Sequence, residues 1–323
     1  MNTNQFDTTV DCSYTVHAVI FGSDESLLGL QLIDGFYLKK LSLNPSVSGL
    51  DSIFETTDMN LRRDYEPARL DEDSLDVICA VKEKKYKLPI SSLDAKFEED
   101  ADNDLISLDN QIRAVRLLKE GPVRFKKIAF HQNFTYENDG VIVPYNHNHI
   151  KLIPEAMTTI PISQYHCNES EISLINEKIQ SLKFPISDSL LNICHKYYDL
   201  SYHTEPCISI TLLTTALEVL YLERNAEKKQ KLLSKRCAAF LCGNDARKAQ
   251  LTYDSLFSLY NERSDFIHEG NERNITKGDI IKLRTIVRDS LLKAISLSES
   301  KEQRIANIDL TAAQNSWLSR KCV

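Results

Sequence analysis

Residues 206–224 read PCISITLLTTALEVLYLER, and this stretch decides what the C-terminal half of the chain can be. It is apolar nearly all the way round rather than along one stripe, a pattern typical of a helix that is buried on every side. Pro206 stands in the first turn, where a helix tolerates proline. The stretch therefore predicts the central helix of an all-helical domain.

The segments on either side are amphipathic, with apolar residues recurring at three and four positions. Glycines stand where helices end, at Gly243 and Gly270. Together with the central stretch they predict about six helices joined by short loops, a compact bundle over residues 168–298. The polar residues 299–323 are expected to form a frayed tail. The amphipathic segments cover residues 169–184, 188–200, 226–243, 245–270 and 276–297.

The N-terminal half has a different period. Short runs such as YTVHAVIFG and VRFKKIAFHQNFTY alternate, are rich in β-branched and aromatic residues, and are separated by turn signals. They predict a mainly β domain over residues 1–160, either a sandwich or a curled sheet. The acidic stretch 94–104, DAKFEEDADND, is predicted to be an exposed loop. The expected fold class is α+β, a mainly β domain followed by an all-α bundle.

Composition sets further limits. A chain of 323 residues is long enough for two domains. It contains no stretch of eighteen apolar residues and no basic, apolar leader, so we expect a cytoplasmic protein without a membrane segment. None of its eight cysteines forms a C-x-x-C pair, which argues against a zinc ribbon. We expect neither a metal nor a cofactor, since no glycine-rich phosphate loop is present.

Charge is distributed unevenly along the chain. The net charge is −7, but residues 1–167 hold 17 Lys+Arg against 26 Asp+Glu, whereas residues 168–323 hold 22 against 20. Basic residues concentrate between 224 and 248, and such a surface can attract a polyanion on an acidic protein. A solvated helix face is an equally good explanation. The candidate RNA contacts are Lys228, Lys229, Lys231 and Lys235.

The stretch SLYNERSDFIHEGN, residues 258–271, carries the candidate catalytic pair Arg263 and His268. A histidine can exchange the proton of a ribose 2′-hydroxyl, and an arginine can hold a phosphate as charge grows on it. Residues five apart on a helix differ by about 140°, so the two side chains do not stack. They could meet if Arg263 wraps round an unwinding helix end, or if two chains share a cleft.

The spacing by itself is weak evidence. Arginine and histidine recur at a similar interval at Arg124 and His131, in strand-like sequence. A purely structural explanation also stands: Arg263 would pair with a buried carboxylate, and His268 would cap the helix.

The order of segments carries more information. TLLTTALEVLYLER, LLSKRCAAFLCG, SLYNERSDFIHEGN and IIKLRTIVRDSLLKAISL follow one another, and this arrangement resembles the Apea-like branch of the HEPN domains. The resemblance covers about residues 168–298. The chain departs from the family pattern at Glu269, which separates His268 from Gly270. The matching positions are Ala216, Leu217, Glu218, Arg236, Leu259, Tyr260, Arg263, Ser264 and His268.

The resemblance implies a metal-independent endoribonuclease that acts as a homodimer, with its site at the dimer interface, in anti-phage defence or a toxin system. It implies that Arg263 binds the scissile phosphate and that His268 is the general acid/base, with Ser264 and Asp265 as polar helpers. Glu218 is expected to orient Arg263 or Arg236, unless it forms an internal ion pair without catalytic meaning.

A second hypothesis treats the helical half as a dimerisation or RNA-binding module without cleavage. The β domain would then be the working part, or the part that senses a phage-derived trigger or regulatory partner. The presence of both Arg263 and His268 favours the enzyme. His147 and His149, two apart in YNHNHIKL, are a weaker alternative as part of a metal-dependent nuclease site.

Overall fold

The computed structural model describes residues 8–43, 75–125, 127–138, 140–152, 165–270 and 275–320. The chain divides into two compact units, Met1–Leu182 and Lys183–Val323. The antiparallel sheet of the first and the helices of the second confirm the α+β fold class. Residues 44–74 and 153–164, which belong to the predicted β half, lie outside the described residues.

The first unit is built on one antiparallel sheet. Its strands are β1 (Thr9–Phe21), β2 (Tyr37–Leu43), β3 (Leu75–Pro89), β4 (Arg124–Phe125), β5 (Lys127–Asn138) and β6 (Val141–Leu152). They follow the order β2-β3-β1-β5-β6, and β4 pairs with β1. Along β1, exposed and buried side chains alternate over most of the strand, as the alternating sequence requires.

A long helix, α1 (Ile90–Leu118), stands where residues 94–104 were predicted to be an exposed loop, and that prediction is wrong. Asp100 and Asp104 are buried on one face of α1, one turn apart. Lys82 of β3, itself buried, lies 2.6 Å from the Asp104 carboxylate. The acidic run therefore contains an internal ion pair, which composition alone could not distinguish from solvated charge.

The next helix, α2 (Glu169–Ile179), belongs to the first unit, although its sequence pattern resembles that of the bundle. The side chain of Asn168 accepts from the backbone of Glu171, and the Glu171 side chain accepts in return, so a capping box starts the helix. Asn176 donates to the Gly29 carbonyl at 3.0 Å. The division of the chain thus falls after Leu182, later than the boundary expected near residue 168.

In its described residues, 183–270 and 275–320, the second unit contains six helices and a terminal 3-10 turn. The central one begins with Pro206 as its first residue and contacts each of the other five. Ile210, Leu213, Ala216 and Leu217 are fully buried along it, as its sequence predicts. The elements are α3 (Ser189–Leu200), α4 (Pro206–Tyr221), α5 (Lys229–Cys242), α6 (Ala246–Glu269), α7 (Lys277–Leu297), α8 (Lys301–Gln314) and the turn Leu318–Arg320.

The prediction of a frayed tail after residue 298 is wrong for the described part of that segment. Ser300 caps α8 through a capping box, and Ile305 and Ile308 are buried. Asp309 on the same helix pairs with Arg236 of α5 at 2.8 Å. A narrow apolar face and one ion pair hold this mostly polar helix in place. Residues 321–323 lie outside the described residues.

Candidate active site

Helix α6 carries both members of the candidate pair. Asp245 caps its start by accepting from the backbone N–H of Lys248 at 3.0 Å. Gly270 ends it in the left-handed region at φ 65°, and its N–H donates to the Phe266 carbonyl at 3.0 Å. A side chain is strained in that conformation, and glycine is the residue that adopts it most readily.

Because the helix remains regular through Glu269, Arg263 and His268 project on different sides of it. They are separated by about 140° around the axis and by about 7.5 Å along it. Unwinding of the helix near Gly270, one of the two ways in which the pair could meet, does not occur here, and Glu269 is the last helical residue. Within one chain, therefore, the helix does not bring the arginine and the histidine together.

Arg263 lies against an aromatic ring rather than a carboxylate. Its Cζ is 5.4 Å from the centroid of the Tyr260 ring, within the range of a cation–π contact. Its Nε is buried and has no hydrogen-bond partner among the described residues, and no ion pair to Arg263 occurs there. The structural explanation that gave this arginine a buried carboxylate partner does not hold for the part of the chain described.

Glu218 of α4 reaches the site through Tyr260. The Tyr260 hydroxyl donates to Glu218 Oε1 at 2.6 Å. Burial raises the pKa of Tyr260 to about 12, and the Glu218 carboxylate adds to that rise while Arg263 opposes it. Tyr260 therefore keeps its proton at neutral pH. Glu218 is expected to orient Arg263 or Arg236, and the contact seen here is with Tyr260, the residue whose ring lies against Arg263.

His268 occupies the last turn of α6 and its side chain is exposed. The helix end is closed by the backbone N–H of Gly270, so the imidazole does not serve as the cap. Its side chain makes no hydrogen bond or ion pair with any residue of the described ranges. An exposed imidazole at a helix end is available to a substrate or to another chain.

Ser264 and Asp265, the expected polar helpers, accompany the pair on α6. Ser264 is half-buried and lies one turn before His268, on the same face. Asp265 is exposed, so both remain accessible in part. The structure therefore leaves their predicted role as helpers unchanged.

Glu262 is a candidate residue of the active site that the sequence alone did not reveal. Burial raises the pKa of its carboxyl, and the nearby carboxylates of Asp279 and Asp265 raise it further, while Ser258 lowers it through a hydrogen bond. Its Oε2 is buried and has no hydrogen-bond partner among the described residues. Nothing in NERSD distinguished this glutamate, because the sequence did not show which face of α6 packs against α7.

Arg236 lies apart from this arrangement, although the resemblance placed it near the site. Its Nε and Nη2 donate to the two Asp309 oxygens at 2.9 and 2.8 Å, and its Nη1 donates to the Tyr221 carbonyl at 2.8 Å. Glu223 accepts from the same guanidinium at 2.6 Å. Arg236 is a structural link between α4, α5 and α8, with its charge matched by two carboxylates.

The start of α5, where most of the candidate lysines stand, contacts α6 ahead of the candidate arginine. Lys228, Lys229 and Lys231 are exposed, and Lys235 is half-buried. The Gln230 side chain, among them, donates to the Phe257 carbonyl of α6 at 2.8 Å. This contact places the basic start of α5 about two turns before Arg263 along α6. The positive end of the α5 dipole adds to the charge of the lysines there.

Three histidines of the first unit contact aromatic or acidic side chains of the same unit. The His147 ring stacks on Phe97 at 4.5 Å between centroids, and His149 lies edge-on to the same phenylalanine. His166 shares a hydrogen bond with Asp24 at 2.7 Å. Among the described residues, no group of three or more His, Cys, Asp or Glu side chains is arranged to hold a metal ion.

Within the described ranges, no helix combines the length and apolar character needed to cross a bilayer. Comparison with known proteins finds no matching family model, no matching curated protein and no matching solved structure.

Proposed function

We propose that this protein is a metal-independent endoribonuclease in which Arg263 and His268 form the catalytic site. One observation carries the proposal: neither side chain makes a hydrogen bond or an ion pair with the described residues. An arginine and a histidine on one regular helix, next to a basic helix start, are suited to hold a phosphate and to transfer a proton.

The proposed chemistry uses a nucleophile that RNA itself supplies. The 2′-hydroxyl oxygen attacks the neighbouring phosphorus while the bond to the 5′-oxygen breaks, and the products are a 2′,3′-cyclic phosphate and a 5′-hydroxyl. A histidine accepts the 2′-hydroxyl proton or supplies one to the leaving oxygen. Arg263 stabilises the negative charge on the non-bridging oxygens. The substrate hydroxyl thus takes the place of a metal-activated water.

The geometry of α6 favours a site made by two chains. Arg263 and His268 diverge by about 140° on one helix, so a straight α6 does not direct both side chains of a single copy at one phosphodiester. In a two-fold dimer the same patch on both copies meets, which would set the arginine of one copy against the histidine of its partner. Two equivalent sites would result. The exposed lysines at the start of α5 would then guide the RNA backbone toward them.

Cleavage of a labelled RNA is the direct test. Wild-type protein should cut the RNA in EDTA and should leave a matched strand with a single 2′-deoxy position intact at that position. Arg263→Gln and His268→Asn should lose cleavage, whereas Arg247→Gln, an exposed cation at the other end of α6, should retain it. Cleavage that requires a divalent metal, or that persists in both site variants, would contradict the proposal.

A second function shares the same surface: binding RNA without cutting it. It is favoured by the separation of Arg263 and His268 on one helix. Filter binding separates the two functions, since a binding module would retain RNA and leave it uncut in all variants.

An anti-phage or toxin role, with the first unit receiving a trigger or regulatory partner, extends the nuclease proposal. Expression should then arrest bacterial growth with wild type but not with His268→Asn.

A further inference from the structure

Strand β6 (Val141–Leu152) stands at one end of the sheet and pairs with β5 on one side. No strand in the described part of the chain pairs with its other edge. The unpaired edge of a strand presents backbone N–H and C=O groups to which another extended chain can add. The outer edge of β6 can therefore accept such a chain, and the side chains beside it indicate which kind.

Pro144 shows which residues of β6 point toward that outer edge. The backbone groups of an antiparallel strand point alternately toward and away from its neighbour, and the register with β5 has no break. Pro144 has no N–H, so it fits a position that points away from β5. The two-residue turn between Asn138 and Val141 gives the same alternation, because such a turn closes on a pair that exchanges both hydrogen bonds. The outer edge therefore carries the backbone N–H groups of Asn146, Asn148, Ile150 and Leu152.

A row of carboxylates on α1 runs alongside β6. Asp94, Glu98 and Asp102 are four residues apart, so they share one face of the helix at intervals of about 6 Å. Alternate residues of a strand lie about 6.7 Å apart, and the two repeats match over this length. The row meets the β6 side chains His147, His149 and Lys151.

These contacts leave the carboxylate row with unmatched charge. The imidazole Nδ1 atoms of His147 and His149 lie 3.9 and 4.0 Å from the facing carboxylate oxygens, beyond hydrogen-bond range. Lys151 pairs with Asp102. With histidine counted as neutral, three carboxylates face one ammonium group, and a charge of −2 remains. All three carboxylate side chains are more than half exposed, so a further cation can reach them.

We infer that the outer edge of β6 binds an extended segment of another protein that has lysine or arginine at alternate positions. The segment pairs with the outward backbone groups of β6, and every second side chain then faces α1. A neighbouring strand lies about 4.8 Å away, a distance that a lysine or arginine side chain spans to reach the carboxylates. The backbone edge supplies the binding, and the carboxylate row selects the basic segment.

A second copy of this chain is a poorer partner for the same edge. Antiparallel pairing of two β6 strands would place both carboxylate rows on one face of the joined sheet, where they repel each other. The single lysine of β6, Lys151, already pairs with Asp102. This surface involves neither Arg263 nor His268, so its test is independent of the nuclease proposal.

A fluorescently labelled peptide with alternating lysines, TKVKVKT, is the probe. Full-length protein should raise its anisotropy at low salt, and added salt should weaken binding. The peptide TEVEVET should not bind. Asp94→Asn/Glu98→Gln should weaken binding by about fivefold, since two ion pairs are lost. Glu25→Gln/Glu99→Gln removes the same charge from exposed carboxylates outside the row and should bind as wild type does.

The contribution of the backbone is tested with Asn146→Pro. This change removes an outward N–H but spares the pairing with β5, as Pro144 does two residues earlier, and should weaken binding by at least about fivefold. A thermal melt shows whether the variant folds; if it does not, the charge variants decide. Equal loss of affinity in the two charge variants, unchanged binding in folded Asn146→Pro, or no peptide binding by wild type would overturn the inference. Self-association of wild type that Asn146→Pro abolishes, without peptide binding, would assign the edge to a second copy instead.

Discussion

Arg236 and Arg263 lie on neighbouring helices of one unit, and their surroundings are opposite. Arg236 is held by Asp309, Glu223 and a backbone carbonyl. Arg263 rests on the Tyr260 ring and has a buried Nε without an acceptor in the part of the chain described. A guanidinium whose donors are all engaged stabilises the fold, whereas one whose donors remain available can bind a phosphate.

The largest expected effect is the loss of RNA cleavage when Arg263 or His268 is replaced. Arg263→Gln or His268→Asn should each reduce RNA cleavage by about 10²- to 10⁴-fold, because one removes charge stabilisation and the other removes proton transfer. Their melting temperatures should stay close to wild type, because neither side chain makes a hydrogen bond or an ion pair with the described residues, and the ring contact of Arg263 contributes only about 0.5–1 kcal/mol. Cleavage rates and thermal melts measure the two effects. A large loss of stability in both variants would give these residues a structural role.

The shared site can be tested by mixing the two inactive variants. If each site takes its arginine from one chain and its histidine from the partner, a mixed dimer contains one intact site. Random exchange should therefore restore about a quarter of wild-type activity in an equal mixture, since about half the dimers are mixed and each has one of two sites. The cleavage rate after subunit exchange is the measurement. No recovery, despite exchange demonstrated with labelled chains, would place both groups within one chain.

The engaged arginine should behave in the opposite way. Arg236→Met leaves Asp309 and Glu223 without their partner, and both carboxylates are about half exposed, at 47% and 54% of the side chain. Water can solvate them, so the expected loss is about 2 kcal/mol of unfolding free energy rather than the full penalty for a buried pair. Denaturant melts give this value. A variant as stable as wild type would remove the contrast between the two arginines.

Tyr260→Phe should have a smaller effect. It removes the hydroxyl that donates to Glu218 but leaves the ring under Arg263, so we expect a loss of about 1 kcal/mol of stability. Cleavage should fall only modestly, since the cation–π contact survives. Tyr260→Leu, which removes the ring as well, is the matched comparison. If Tyr260→Phe and Tyr260→Leu cleaved at the same rate, the ring would have no part in positioning Arg263.

The smallest effect concerns Glu262. Because its pKa is raised in the folded protein, the folded state binds the proton more tightly than the unfolded state. Its contribution to stability is therefore fully present below the ordinary glutamate pKa and is lost as pH rises through the folded-state pKa. Glu262→Gln should raise the melting temperature slightly at neutral pH and leave it unchanged in acid. A gain at acid pH equal to that at neutral pH would contradict this assignment.

The sequence predicted the helical part of the fold well because periodicity is a local property. Residues 206–224 are apolar on nearly every side of a helix, which predicted the central helix, and Gly270 predicted the end of α6. The same approach failed at residues 94–104 and 301–314, both rich in polar residues. In each case a few buried side chains and an ion pair to another element, through Asp104 or Asp309, hold the helix in place. The overall polar composition of the segment does not show which few residues are buried.

For the candidate site, the sequence determined which groups are present and where they stand on the helix. An uninterrupted α6 fixes the angle between Arg263 and His268, and Gly270 fixes where that helix ends. The partners of each charge were decided only by the tertiary structure. Glu218 binds Tyr260, while Arg236 binds Asp309, 73 residues away along the chain. Spacing along one helix is set by backbone geometry, but the pairing of charges depends on which helices pack together.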